Sequence, residues 1–306
     1  MKKNPAAQPA LKATMQKDRR QRNIFIAVTV VPSLVLFLLL VIVPVFNMFY
    51  TSLLKWDGYI DSEKIFQGLE NYKVLFGKAE FGRAALNTLF LIVVVTAVTI
   101  VLALFFAAVL AKGKTKGKTF FRIVFYIPNI LSIVVISAIF SALLNPTYGV
   151  MKAIYNLFNA PYTGWLGETK AVMWCIAFAM IWQAVGYYMV MYIAGMDGVP
   201  DHLYEAADLE GCGKMRQFFV ITMPMTWEVI RTTLTFFIIS TINMSFLFVD
   251  AMTQGEANSH VLLTYMYKFS KSQYGYAMAI GTVIFVLAYS VSLIIQRLTR
   301  REIIEY

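Results

Sequence analysis

The stretch TLFLIVVVTAVTIVLALFFAAVLA, residues 88–111, decides the fold. It runs without a single Asp, Glu, Lys, Arg or His. About 20 apolar residues in a helix cross the ~30 Å hydrocarbon core of a bilayer, so this stretch predicts a transmembrane helix. Five similar stretches accompany it, at 24–50, 125–144, 171–194, 232–249 and 274–295, and none of these cores carries a charge or a histidine. The predicted fold is all-α: a polytopic membrane helical bundle of about six transmembrane helices. Composition agrees, since 59% of the 306 residues are hydrophobic and 14% are charged. Soluble domains run nearer ~45–50% and ~25%. Mean hydropathy is +0.64.

The first run is longer than the ~7–15 apolar residues of a secretory leader, and it ends in Phe46, Phe49 and Tyr50. It is therefore expected to stay as a span. Pro32 and Pro44 lie within it, which membrane helices tolerate.

Basic residues orient the bundle, because cytoplasmic loops are enriched in Lys and Arg. Residues 1–23 carry Lys2, Lys3, Lys12, Lys17, Arg19, Arg20 and Arg22 against Asp18 alone. The second-to-third connection carries Lys112, Lys114, Lys116, Lys118 and Arg122 with no acid. Both are predicted cytoplasmic, and six spans return the tail 297–306 to the same side. The connection 51–87 balances five basic against five acidic residues, as expected outside. The organisation read from this is a basic tail (1–23), a membrane domain (24–296) and a short C-terminal tail (297–306).

Several functions are disfavoured. The net charge of +10 sits between apolar runs, without the interleaved aromatics of a base-stacking groove, so nucleic acid is not expected. Cys175 and Cys212 fit no CxxC or disulfide framework and read as free thiols. His202 and His260 are far apart, so no metal site is predicted. No nucleophile–base pair marks a catalytic centre. Gly113 and Gly117-Lys118-Thr119 imitate a phosphate loop, but three residues separate the glycines where the pattern needs four. The charge-free cores offer no proton relay of the kind intramembrane carboxylates build. An ion-coupled secondary carrier, working through carbonyls and hydroxyls, remains the alternative to an ATPase on another chain.

The connection from Gly195 to Arg231 breaks the charge pattern. It holds Asp197, Asp201, Glu205, Asp208, Glu210 and Glu228 against Lys214, Arg216 and Arg231. Pro200-Asp201 predicts a helix start, with the Asp side chain capping free amides. Gly211 and Gly213 end that helix, and a second one starts near Lys214 and runs toward Pro224. Small Ala206 and Ala207 would let another surface approach closely, with Glu205 at its edge. On these grounds alone, a docking element and a structural hairpin packed under the bundle are both open.

Glu205-Ala206-Ala207, Gly211, Ile221 and Pro224 resemble the EAA motif of permease subunits of binding-protein-dependent ABC importers. Departures are Glu210-Gly211-Cys212 for the usual Asp-Gly-Ala, Met223 for a common Leu, and Trp227 for a frequent Pro. Phe66-Gln-Gly-Leu-Glu-Asn71-Tyr72 resembles the family's FxGLxNY segment. Phe120-Phe121-Arg122, Pro128, Asn145-Pro146 and Gly149 fall where its sugar branch has similar residues. The resemblance spans about residues 30–301. It points to the maltose-transporter-type branch and to the first of its two permease types.

The resemblance implies the type I ABC importer transmembrane fold in a bacterial cytoplasmic (inner) membrane. It implies a coupling loop at 196–227, in which Glu205, Ala206, Ala207 and Gly211 meet a cytoplasmic ATPase dimer. It implies a second homologous permease and an extracytoplasmic solute-binding protein that delivers a sugar or oligosaccharide. ATP and Mg would belong to the ATPase, leaving no cofactor in this chain. Tyr187 falls where the maltose-type permease contacts substrate, with Gln183 one turn earlier. Asn243 and Ser245 lie near that permease's Asn-rich segment, and Ser137 is the candidate on the third span. The same residue types also hold membrane helices together, at about 0.6 kcal/mol per hydrogen bond.

Overall fold

A computed structural model describes residues 7–111 and 117–300. Lys2, Lys3, most of the basic loop (Lys112, Lys114, Lys116, with Gly113) and the tail from Arg301 onward fall outside the described residues.

Helix α1 (Ala7–Phe37) passes through a π-helical turn (Leu38–Ile42) into α2 (Val43–Thr51). The helix runs through residue 23 without a break. The helix starts at Ala7, because the basic segment is rich in Ala, Gln, Lys and Arg, which are good helix formers. The π turn immediately precedes Pro44. Proline has no N–H to donate to the carbonyl one turn back, and its ring crowds that carbonyl; a wider turn absorbs the misfit. In the most apolar part of the span Gln21–Thr51 no residue is buried within the subunit.

A small outer layer follows. Strands β1 (Leu54–Lys55) and β2 (Ile65–Phe66) pair antiparallel, Leu54 opposite Phe66, and α3 (Glu70–Gly77) packs beside them. This hairpin is a minor exception to the predicted all-α class. Asn71 fastens it, donating from Nδ2 to the Ser52 and Leu54 carbonyls at 2.8 and 2.9 Å.

Helix α4 (Ala79–Leu110) is the predicted second span, begun nine residues earlier than its apolar core. The extra turns are polar because they face the outer turn: Asn87 Nδ2 donates to the carbonyls of Asn258 and His260 at 2.8 and 2.9 Å. The predicted third span, 125–144, is not one helix. Helix α5 (Lys118–Ile130) and α6 (Ile133–Leu143) meet at a bend of 97°. Pro128 cannot donate into α5. Leu131 and Ser132 are extended, and the Ser132 hydroxyl accepts from Val135 N to start α6 afresh.

Short α7 (Val150–Leu157) leads to α8 (Val172–Asp197), the fourth span. Helices α9 (Asp201–Leu209), α10 (Lys214–Gln217) and α11 (Met223–Met225) form the next connection. The remaining spans are α12 (Trp227–Thr253) and α14 (Tyr274–Leu298), with α13 (Leu262–Phe269) between them. Five described helices are thus long and apolar enough to cross a membrane, and six if the bent α5–α6 pair is one span.

Helices α4, α6, α8 and α12 share one core around Val95, Ile136, Ile176, Met189 and Phe237. A second cluster joins α3, α4, α12, α13 and α14 around Leu75, Ile242, Leu262 and Ile280. Gly186 sets the closest approach in the first core. A Cβ there would overlap the Phe125 carbonyl, so the backbones of α5 and α8 touch. Tyr192 OH and Thr233 Oγ1, 3.0 Å apart, link α8 to α12.

Candidate functional site

The connection from α8 to α12 carries a dense set of side-chain hydrogen bonds. Pro200, extended at φ −59° and ψ 135°, holds the cap position of α9 and has no side-chain cap to offer. This corrects the expected Asp201 cap: Asp201 is already helical. Its charge in the first turn instead opposes the positive end of the helix dipole.

The far end of α9 closes as predicted. Gly211 takes φ +72°, a left-handed conformation that costs side-chain-bearing residues. Gly211 N donates to Asp208 O at 3.1 Å and Cys212 N to Ala207 O at 2.9 Å, the paired bonds of a Schellman motif. Side chains then clasp the turn. Lys214 Nζ lies 2.9 Å from Asp208 Oδ1. Buried Gln217 donates from Nε2 to Asp208 Oδ1 at 2.5 Å and to Cys212 O at 2.9 Å. The hydrogen bond from Lys214, then that from Gln217, holds the Asp208 carboxyl below its usual range. Tyr204 OH, 2.8 Å from Thr222 Oγ1, ties α9 to a second π turn (Phe218–Thr222), which precedes Pro224 as the first precedes Pro44. Trp227 Nε1 donates to Thr299 O at 2.9 Å, fixing the base of α12 to the end of α14.

On this clasped frame Glu205, Ala206 and Gly211 are exposed and Ala207 is half-buried. Sequence reasoning missed two neighbours. Leu209 is 90% exposed, and Met215 is also exposed. In sequence both lie close to the exposed Glu205-Ala206 pair and Gly211; the signal was a Leu beside the Glu-Gly turn.

The residues predicted to meet substrate divide into two groups. Ser137 on α6 and Gln183 on α8 are buried in the common core. Ser137 Oγ and Gln183 Oε1 have no hydrogen-bond partner among the described residues. Ser245 is buried too, but its hydroxyl donates to Ile242 O at 2.7 Å, so that group is already engaged. Tyr187, 40% exposed, and Asn243 face outward from the subunit. Gln183 and Tyr187, one turn apart, therefore differ in environment. Thr96 and Thr99 on α4, not singled out by sequence, add two more buried hydroxyls without a partner among the described residues. The α5–α6 break adds half-buried Asn129 and exposed Ser132. Broken backbone at membrane depth is tolerated only inside protein or along a polar cavity.

Cys175 is buried in α8 and Cys212 lies in the turn; both are free.

Residues 99–304 match the family described as binding-protein-dependent transport system inner membrane component. The chain is 36% identical over 280 residues to the probable ABC transporter permease protein YurN of Bacillus subtilis (strain 168), covering 89% of this chain and 95% of that protein. It is 29% identical over 276 residues to the diacetylchitobiose uptake system permease protein NgcF of Streptomyces coelicolor, covering 85% and 77%. Its fold matches a chain of a crystallised bacterial ABC transporter involved in the import of the acidic polysaccharide alginate, with a TM-score of 0.80. That match covers 94% of this chain and 99% of the other at 20% identity, so it concerns the fold. With six predicted spans, one of them broken, and this extent of family match, the chain is a multi-pass membrane protein of the binding-protein-dependent transport system inner membrane component family.

Proposed function

We propose that this chain is one of two paired permeases of an ATP-driven importer and conducts a sugar or oligosaccharide. One observation carries the reading of its energy source: the α9–α10 turn is clasped by Asp208, Lys214 and Gln217 while Glu205, Ala206 and Leu209 stand exposed. A rigid element with unpartnered small and apolar residues is built to be pushed. A cytoplasmic ATPase dimer that holds ATP and Mg would receive α9, and its closure would move α8 and α12 together.

Outside, an extracytoplasmic binding protein would deliver the sugar. The hairpin, α3 and the start of α14 frame a cavity of about 560 Å³ there, with Trp56, Asp57, Gln67, Asn71 and Gln273 in its wall. The pathway would run along the outward faces of α8 and α12, where Tyr187 offers a ring and Asn243 an amide. Ser137, Gln183, Thr96 and Thr99 would keep polar capacity close behind. The sugar assignment is supported by the diacetylchitobiose permease among the relatives.

Reconstitution tests the proposal. The chain, its co-purified ATPase, a second permease and a binding protein are placed in proteoliposomes. Sugar uptake that needs both ATP and the binding protein supports it. Uptake driven by a sodium or proton gradient without ATP favours the secondary carrier.

A further inference from the structure

Arg122 joins three spans at the root of the α9 loop. Its Nη2 donates to Leu110 O, at the end of α4, at 3.1 Å. The same nitrogen lies 3.9 Å from Asp197 Oδ2, on the last residue of α8. Both neighbours are C-terminal helix ends, where the backbone dipole concentrates negative charge. Arg122 Nε is buried and has no acceptor among the described residues.

The distance to Asp197 exceeds that of a hydrogen bond, yet an unused N–H lies beside the donor that faces it. A carboxylate about 1 Å closer could take Nε and Nη2 together, the two-point geometry that makes arginine–carboxylate pairs strong. The contact therefore has a loose arrangement and room for a tight one.

Its position gives that slack a use. Asp197 precedes Asp201, the start of α9, by Gly198, Val199 and Pro200 only. Further along, α5 and α8 are pinned where Gly186 meets the Phe125 carbonyl. Beyond that contact α5 reaches the bend at Leu131–Ser132. A push on α9 would move Asp197, with the Gly186–Phe125 contact as fulcrum and the bend on the far side.

We propose that Arg122 is a positioning residue of the transport cycle, closing on Asp197 through Nε and Nη2 when α9 is displaced, and so passing that displacement to the third span. This rests on the reading of α9 as the ATPase contact.

The test uses the whole importer in proteoliposomes, with two readouts. One is sugar transported per ATP hydrolysed. The other is cross-linking to the co-purified ATPase from a photoreactive residue placed at Ala206. Arg122→Gln and Asp197→Asn are each expected to lower the sugar-to-ATP ratio by about 2- to 30-fold, the range for residues that carry coupling between sites, with cross-linking unchanged. Arg122→Lys keeps the charge but not the two-point fork, and should fall between them and the unaltered chain. The exchange Arg122→Asp with Asp197→Arg should recover part of the ratio. If Arg122→Gln does not accumulate, half-exposed Asp197→Asn and Arg122→Lys carry the test. An unchanged ratio in these variants, with cross-linking intact, overturns the role of Arg122. Absence of cross-linking in the otherwise unaltered chain overturns the docking of α9, and this proposal with it.

Discussion

Asp208 and Lys214 face each other across the turn between α9 and α10, Nζ 2.9 Å from Oδ1, and Gln217 donates to the same oxygen. The clasp stands in water, so it acts by ordering the turn rather than by burying charge. Asp208→Ala is expected to leave the chain in the membrane while loosening residues 209–217. Faster protease cleavage within that segment, at unchanged expression, checks this.

The same clasp sets a pH response. The carboxyl of Asp208 is held below its usual value of 3.8. A group depressed in the folded state lends its stabilisation above the unfolded pKa and loses it as pH falls through the folded one. The clasp should therefore be complete from neutral pH to about 5 and fail only below the ordinary carboxylate range. Proteolysis of the 209–217 segment across that range, with an acid-stable protease, reads it directly.

Two glycines should respond differently. Gly186→Val must force α5 from α8 at the Phe125 carbonyl, and overpacking of this kind costs about 1–3 kcal/mol. Gly211→Ala meets no neighbour but keeps φ +72°, at about 1–2 kcal/mol. Thermal unfolding in detergent should fall for both, and only Gly211→Ala should disturb the α9 turn alone.

Leu209→Ala removes an exposed side chain, so the isolated chain should melt as before. Retention of the ATPase should weaken about tenfold, roughly 1.4 kcal/mol, as for an apolar anchor of an interface. Co-purification at graded detergent and salt measures it.

Tyr187→Ala and Asn243→Ala should raise the sugar concentration for half-maximal uptake several-fold. Ser245→Ala should not, because its hydroxyl is bonded to Ile242 O. Uptake curves at fixed ATP separate the three.

The spans were legible because hydrocarbon demands long apolar runs, and residues 88–111 or 274–295 have no other reading. The turn at Gly211 was legible for a similar reason, since few residues tolerate that backbone conformation. The break at Leu131–Ser132 was hidden: 125–144 is apolar throughout, and Pro128 alone does not separate a kink from a break. The interior position of Gln183 was hidden too. Its helical face can be counted, but which neighbour covers that face depends on how α4, α6 and α12 pack. Leu209 reads in sequence as an ordinary helix residue, and only its exposure on the folded subunit sets it apart.

If energy enters through the α9 loop, scrambling residues 205–211 within an otherwise intact chain should uncouple transport. In proteoliposomes holding the complete importer, ATP-dependent sugar uptake should fall to the level without ATP while the chain still inserts and folds. Gly211→Asp should do the same at a single position. Uptake at the unaltered rate from the folded, scrambled protein would contradict it.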